Sequence, residues 1–513
     1  MSLNSGINGL FEQALAHHDA GRLVEALSLY DQIAALGPNA VVFYNRGLAL
    51  QGLARFEAAV ASYRQAIALH PTYAEAHSNC GDALQALNRL AEAAASYDRA
   101  IAFNPNIAEV YANRGGALHK LGKFTAALAD YDRAIAMAPS AEAYANRGLT
   151  LMELDRVAEA LADFEKVDER SPAHGDARLN TFALHLRELA NPRLIEETGA
   201  EAARVLVKRA CDDLSRGKTV AAFQVLHDLE QTSYLIEHDH AAPALVRLRD
   251  SLKNIYERRG PNTHIALTDD EIAELNRFRA MRAPYHNAAA PTDCLNPDND
   301  WAALEAQYLD THPEIIFIDD FLSPAALADL QRFCLVSTVW HKAYDGHYLG
   351  AFAEGGFISP LHCQIARELR TKMPRIFGEH GLRQLWSFKC MSEKHRGLKV
   401  HADFARVNLN FWITPNDANL DPTSGGMIVH DVAPPLDWDF KDYNSDGKAA
   451  EERIYEFLQE RGANGIKIPY RCNRAVLFNS NLFHETDQFH FKDGYENRRI
   501  NVTYLFGKGL KTP

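Results

Sequence analysis

No stretch of the chain approaches 18 consecutive apolar residues, and its start, MSLNSGINGLFEQALAHHDAGRLVEALSLY, has no basic segment followed by an apolar run. Neither membrane spanning nor export is therefore predicted. Cysteine is sparse: Cys80, Cys211, Cys294, Cys334, Cys363, Cys390 and Cys472 are odd in number, scattered, and never in a C-x-x-C pair. That pattern is no disulfide framework, and it predicts a reduced, cytoplasmic compartment. A basic surplus is missing as well. With 54 Lys and Arg against 67 Asp and Glu, the formal net charge is −13. Binders of nucleic acid or anionic membranes need a basic face to neutralise phosphate, so both are excluded as partners.

What is there is ample core material. The 513 residues are 47% hydrophobic and 24% charged, which suits a folded chain of several domains, since one core serves roughly 100–200 residues. The first third repeats itself. Pro38, Pro71, Pro105, Pro139 and Pro172 recur every 33 or 34 residues, in step with Tyr30, Tyr63, Tyr97, Tyr131 and Phe164 and with Gly47, Gly81, Gly115 and Gly148. Each unit reads as two helices joined at a short turn (GLARF, ALNRL, KLGKF), the second ended by the proline. This pattern resembles the tetratricopeptide repeat, and it predicts an all-α superhelix over residues 1–172 whose units stack to form a concave groove.

With each repeat's glycine as its eighth position, the sixth is Asn45, Asn79, Asn113 and Asn146. In related superhelices such a ladder grips an extended peptide, the amide matching the N–H and C=O of a peptide unit. Asparagine is also the commonest residue at this position, so satisfying local polar groups is the competing reading. Glu75, Glu109 and Glu142 add negative charge to the same face.

Between 173 and 260 the pattern stays helical without the period, as expected of a helical cap that closes the solenoid and spaces it from the C-terminal region. His238 and His240 there read as a solvated helix end rather than a metal pair. Residues 261–312 are rich in Pro, Asn and Gly and read as a linker. Beyond 313 the pattern changes to short β-branched and aromatic runs (EIIFIDDFL, QLWSFKCM, RVNLNFWITP, GGMIVHDV, RAVLFNSNLF, INVTYLFG), which predict a sandwich or barrel of strands with flanking helices.

That last region holds one constellation of chemical interest: His401-Ala402-Asp403, His484 at the end of a strand 83 residues after the first histidine, and Arg498-Arg499 opening RRINVTYLFG. The H-x-D alone is unspecific, since His17 and Asp19 also match it. The order of strand, H-x-D, strand-end histidine and strand arginine is what resembles the Fe(II)/2-oxoglutarate-dependent dioxygenases of prolyl-hydroxylase type. The resemblance covers residues 313–513 and implies a double-stranded β-helix, or jelly roll. It implies that His401, Asp403 and His484 hold Fe(II), leaving adjacent positions for 2-oxoglutarate and O2, and that an arginine anchors the far carboxylate of the oxo-acid. Strand alternation groups Arg499 with Asn501 and Thr503, a polar set, and Arg498 with Ile500 and Val502. Arg499 with Asn501 is the favoured anchor and Arg498 the alternative, because the family usually has Ser or Thr where Asn501 stands.

Residues 437–466 read as an insertion folded over the active site as a lid. Within it, Asp442-Tyr443-Asn444-Ser445-Asp446-Gly447 imitates half of a calcium loop, but Arg453 stands where a bidentate glutamate is needed. His430 and His490 lie in the same region without an assigned role. The implied function is hydroxylation of a C–H in a peptide or protein recruited by the repeats. The alternatives are the same chemistry on a small molecule, with the repeats serving oligomerisation, and a repeat scaffold carrying an inactive oxygenase fold. Charge bears on the partner: residues 1–172 carry 14 Lys and Arg against 20 Asp and Glu, residues 173–312 carry 16 against 22, and residues 313–513 carry 24 against 25. The acidity sits on the helical part, so a recruited segment is expected to be basic.

Overall fold

The computed structural model describes residues 2–189, 192–238, 243–258, 264–280, 292–344, 346–390, 398–403, 405–435, 437–438, 443–444 and 448–509. The chain divides into two compact units, Met1–Ala177 and Arg178–Pro513.

The first unit is a run of antiparallel helix pairs: Ser2–Asp19 with Leu23–Leu36, Ala40–Gly52 with Phe56–Leu69, Ala74–Ala86 with Leu90–Phe103, Ala108–Lys120 with Phe124–Met137, and Ala141–Glu153 with Val157–Phe164. The two residue series seen in the sequence are the two sides of one contact. A Cβ built on Gly47, Gly81, Gly115 or Gly148 would come within 2.4, 2.6, 3.0 or 2.6 Å of the ring of Tyr63, Tyr97, Tyr131 or Phe164. Only glycine lets the buried ring lie against the facing helix backbone. The turn inside each pair places one residue in the left-handed region: Gly21, Ala54, Asn88, Gly122 and Asp155. Arg114 and Arg147 then tie helices together, each reaching a buried aspartate, Asp130 or Asp163, and an exposed one, Asp98 or Asp132.

The second unit is built on antiparallel sheets. A hairpin-like pair, β1 (Thr219–Ala221) and β2 (His264–Ala266), stands among the helices. The large sheet has the order β3-β10-β7-β12-β6-β5-β4, formed by β3 (Ile315–Ile318), β4 (Lys342–Tyr344), β5 (Tyr348–Phe352), β6 (Leu382–Cys390), β7 (Val407–Trp412), β10 (Ala475–Asn479) and β12 (Ile500–Phe506). The small sheet has the order β11-β8-β9, formed by β8 (Met427–His430), β9 (Gly465–Ile468) and β11 (His484–Thr486). One face of the large sheet carries Leu409, Phe411, Leu477, Val502 and Tyr504 into a core shared with helices. Its other face carries Trp412, Val476 and Phe478 against Met427, Val429 and Ile468 of the small sheet.

Three expectations about the connecting regions are corrected. The stretch read as a cap belongs, from Arg178 onward, to the unit that holds the sheets: Phe182 and Leu186 enter the core behind the large sheet, and on the helix Ala222–Glu237 Gln224 and Gln231 donate to Trp340 O and Ser337 O. The stretch read as a linker contains the helices Asp269–Ala280 and Trp301–Asp310, and Leu295, Trp301 and Tyr308 are buried in the same core. Apolar residues spaced between turn signals were the cue that these segments had something to bury.

The third correction concerns the insertion. Its helix Lys448–Glu460 packs Ile454 and Leu458 on Val400, Ala402 and Phe483. These residues alternate with His401, Asp403 and His484, so the helix supports the ligand-bearing segments from the side opposite to the ligands and is not a lid over them. Among its polar residues, Glu451 pairs with Lys399 and Tyr455 donates to Glu485. No helix of the described residues is long and apolar enough to cross a membrane.

Candidate metal centre

His401 and His484 face each other across an isolated antiparallel bridge, each backbone N–H donating to the other's carbonyl at 3.0 and 2.8 Å. That pairing brings the rings to 4.3 Å between centroids. Asp403 is fixed two residues later by its N–H on Ser480 O. The ligating atoms of the three side chains all lie within 4.8 Å of one another.

Their tautomers are set by the backbone. His401 Nδ1 lies 2.7 Å from Lys399 O and His484 Nδ1 lies 2.9 Å from Leu482 O. A carbonyl only accepts, so both Nδ1 atoms carry the proton and both Nε2 lone pairs are left for the centre. Those Nε2 atoms stand 3.8 and 3.4 Å from the two oxygens of Asp403. Burial, and then the neighbouring His484, lower the pKa of His401, which favours the neutral ring a metal needs. Burial pushes the Asp403 carboxyl up, but the adjacent imidazoles and the Asn408 amide outweigh it and leave it below the usual range. Asn408 on β7 donates to Asp403 Oδ2 at 2.7 Å. Two nitrogens and one carboxylate, oriented by outer partners, are a group that could hold a divalent transition metal.

The adjacent arginines differ sharply. Arg499, 3% exposed, donates from Nε to Gly425 O at 2.6 Å and from Nη2 to Gly426 O at 3.0 Å, with Asn501 Oδ1 at 3.4 Å from Nη1. Trp412 and Phe489 place ring faces 5.8 and 5.4 Å from its guanidinium carbon. Among the described residues no carboxylate stands within ion-pair distance of it, and burial lowers its pKa. Gly425 has φ +86° and a Cβ on Gly426 would collide with Ile468 O, so the two carbonyls that hold the guanidinium come from a turn only glycine can make. Arg498, also buried, instead pairs with Glu230 of the helix Ala222–Glu237.

Cross-strand register puts the polar residues of this face in rows: Asn410 opposite Thr503, and Thr503 opposite Trp386, with Asn410 Nδ2 donating to Thr503 Oγ1 at 2.9 Å. Asn408 and Asn410 were missed in the sequence, although two asparagines at alternate positions of an otherwise apolar strand, RVNLNFW, are a readable signal.

The remaining candidates are dispersed. His430 pairs with Glu485 at 3.2 Å on the outer face of the small sheet, and His490 is exposed. His238 stacks on Tyr234, and His240 lies outside the described residues. So do Asp442, Ser445, Asp446 and Gly447 of the calcium-loop imitation; its Asn444 donates to Ala402 O, and Arg453 lies over the ring of Trp438. In the repeats, Asn45 donates to Val41 O of its own helix, Asn79 to Tyr44 Oη and Asn113 to Asp82, while Asn146 is exposed. Three of the four amides thus serve local partners.

Comparison with known proteins bears on the first unit. Residues 55–88 and 81–122 match a family model described as TPR repeat, and residues 113–174 match one described as tetratricopeptide repeat. No curated protein matches the chain. Among solved structures it is similar to MamA from Desulfovibrio magneticus RS-1 (20% identity, 31% of this chain and 92% of that one, TM-score 0.31). It is also similar to YrrB, described as a TPR protein with an unusual peptide-binding site (22% identity, 34% and 91%, TM-score 0.32). A third is PilW, described as a widely conserved type IV pilus biogenesis factor (25% identity, 39% and 92%, TM-score 0.34). The N-terminal region of this chain is a series of tetratricopeptide repeats.

Proposed function

We propose that the second unit is an Fe(II)- and 2-oxoglutarate-dependent dioxygenase that hydroxylates a C–H of a peptide or protein recruited by the repeats. The observation that carries this reading is the pairing of two features in one unit: a His-Asp-His donor set with both Nε2 atoms turned inward, and a buried arginine with no carboxylate partner among the described residues. A buried guanidinium without a counter-charge costs several kcal/mol unless a ligand supplies one, and the far carboxylate of an oxo-acid would supply it in a bidentate fork. Arg498 is disfavoured as the anchor because Glu230 already neutralises it.

His401, Asp403 and His484 would hold the iron, which with the oxo-acid and O2 would supply the oxidant, the oxo-acid leaving as succinate and CO2. The chain's own residues do the rest. Lys399 O and Leu482 O keep the two imidazoles in the Nε2-donor form, Asn408 orients the carboxylate, and Arg499 with Asn501 orients the oxo-acid along the floor of the large sheet. Phe478, 4.9 Å from the His484 ring, keeps water from the reacting end, while Trp412 and Phe489 enclose the guanidinium that takes the far carboxylate. Two antiparallel sheets packed face to face support the jelly-roll reading of this unit.

The test is anaerobic addition of Fe(II) and 2-oxoglutarate to the full chain. The weak visible absorption of a chelated oxo-acid is expected, absent in His401→Ala and Asp403→Ala and formed only at raised oxo-acid concentration in Arg499→Met. If the two ligand variants keep the band, the metal assignment is wrong; no band in the native protein removes the oxygenase reading and leaves a repeat scaffold.

A further inference from the structure

The face of the large sheet that carries Asn408 and Arg499 extends past β12 onto β6, β5 and β4, and there its character changes from polar to aromatic. Trp386 lies opposite Thr503 on one side and Phe352 on the other, and Phe388 opposite Asn501 and Gly350. Residues directly opposite in a ladder share a face, so these rings stand on the same floor as Asn410 and Thr503. Tyr344 and Tyr348 complete the set, stacked at 4.7 Å and 10°, and Phe388 meets each of them edge-on at 5.7 and 5.2 Å. Phe352 lies 6.4 Å from Trp386. Trp386, Phe352, Tyr344 and Tyr348 are only partly buried, whereas the aromatic residues between the two sheets, Trp412 and Phe478, are fully covered.

A cation already uses this wall. The exposed Lys342 on β4 holds its ammonium 5.0 Å from the Tyr344 ring centre and 5.2 Å from that of Phe352. It lies in electrostatic reach of Glu354, a largely enclosed carboxylate that forms no ion pair with the described residues. Ring faces and a desolvated carboxylate both favour positive charge.

We propose that this aromatic wall is a substrate subsite that accepts an arginine or lysine side chain of the polypeptide, with Lys342 as the internal cation it displaces. The proposal rests on the dioxygenase reading for its purpose and names the substrate class of that site: a basic segment, matching the surplus acidity of the helical part. Phe352 is on β5, three strands from β7, about 14 Å at the usual strand spacing. An extended chain covers that distance in about four residues, so the modified residue is about four positions from the cation.

The experiment compares a fluorescent twelve-residue Gly/Ser peptide carrying one central arginine with its citrulline counterpart, titrated by anisotropy against the metal-free full chain. The arginine peptide is expected to bind about three- to tenfold more tightly, the range of a partly exposed cation–π contact. Trp386→Leu removes that preference. Lys342→Met widens it, while Lys253→Met, which deletes the same charge on the helix Pro243–Glu257, does not. Equal binding of the two peptides overturns the proposal, as does a preference that survives in Trp386→Leu or is unchanged in Lys342→Met. Peptide binding needs no metal and the oxo-acid band needs no wall, so loss of one with survival of the other separates the two readings.

Discussion

Glu230→Ala tests whether the helical stretch after Arg178 is part of the sheet-bearing unit's energetics. Arg498 is 2% exposed and Glu230, on the helix Ala222–Glu237, is its ion-pair partner, the two residues 268 positions apart in sequence. Removing the carboxylate takes the ion-pair partner from a guanidinium almost wholly shielded from water. Breaking a fully buried pair in this way costs roughly 3–5 kcal/mol. Glu230 is 27% exposed, which lets some solvent in, so about 2–4 kcal/mol is expected here. Glu230→Gln, which keeps a hydrogen-bond acceptor, should lie between the variant and the native protein. Glu230→Ala combined with Arg498→Met should recover most of the loss, because replacing both charges leaves nothing unpaired. The assay is urea unfolding of the full chain followed by tryptophan fluorescence, since all five tryptophans lie beyond residue 300 and report the second unit. A loss below about 0.5 kcal/mol in Glu230→Ala, or a double variant as unstable as the single one, would refute the argument.

Three further outcomes are expected. Lys389 is buried against Trp340 and Tyr495, and burial pushes its pKa down to about 7; between pH 7 and 10.5 the unfolded chain therefore holds a proton that the folded one has released, and stability rises with pH. From pH 7 to 9 the gain is roughly 2 kcal/mol, read as a higher urea midpoint, and Lys389→Met should lose that slope; parallel curves for the two proteins would count against it. Gly81→Ala drives a methyl to 2.6 Å from the Tyr97 ring and should cost about 1–3 kcal/mol of repeat-unit stability by thermal circular dichroism, whereas the same change at Gly9, which has nothing within 4 Å, should not destabilise. Asn408→Ala frees the Asp403 carboxylate and should weaken Fe(II) binding about 10–100-fold in an anaerobic titration with oxo-acid present, with no loss of helical signal.

Much of this was legible because it is local. A 34-residue period records the Gly–Tyr contacts that stack one repeat, and alternation along RVNLNFW and INVTYLFG assigns faces before any strand is paired. The donor set could be named from order along the chain, since an antiparallel bridge between His401 and His484 needs only two strand ends. The same local rules misled where the partner is distant. The insertion helix has an apolar stripe, but nothing local says whether it covers the ligands or, as found, packs on Val400 and Ala402 behind them. The asparagines of the repeats lie at the expected positions, yet Tyr44 and Asp82, from preceding repeats, take up two of their amides.

The sequence by itself determined the periodic helices, the strand faces and the chemical identity of the candidate ligands, because each depends on residues a few positions apart. Only the tertiary structure decided which of two neighbouring arginines is neutralised and which has no ion-pair partner among the described residues, since Glu230 lies 268 residues from Arg498. It also decided that the stretches read as cap and linker supply core to the sheets. Both outcomes come from burial: the state of a charge, and the partner of an apolar face, are set by what folding brings against them.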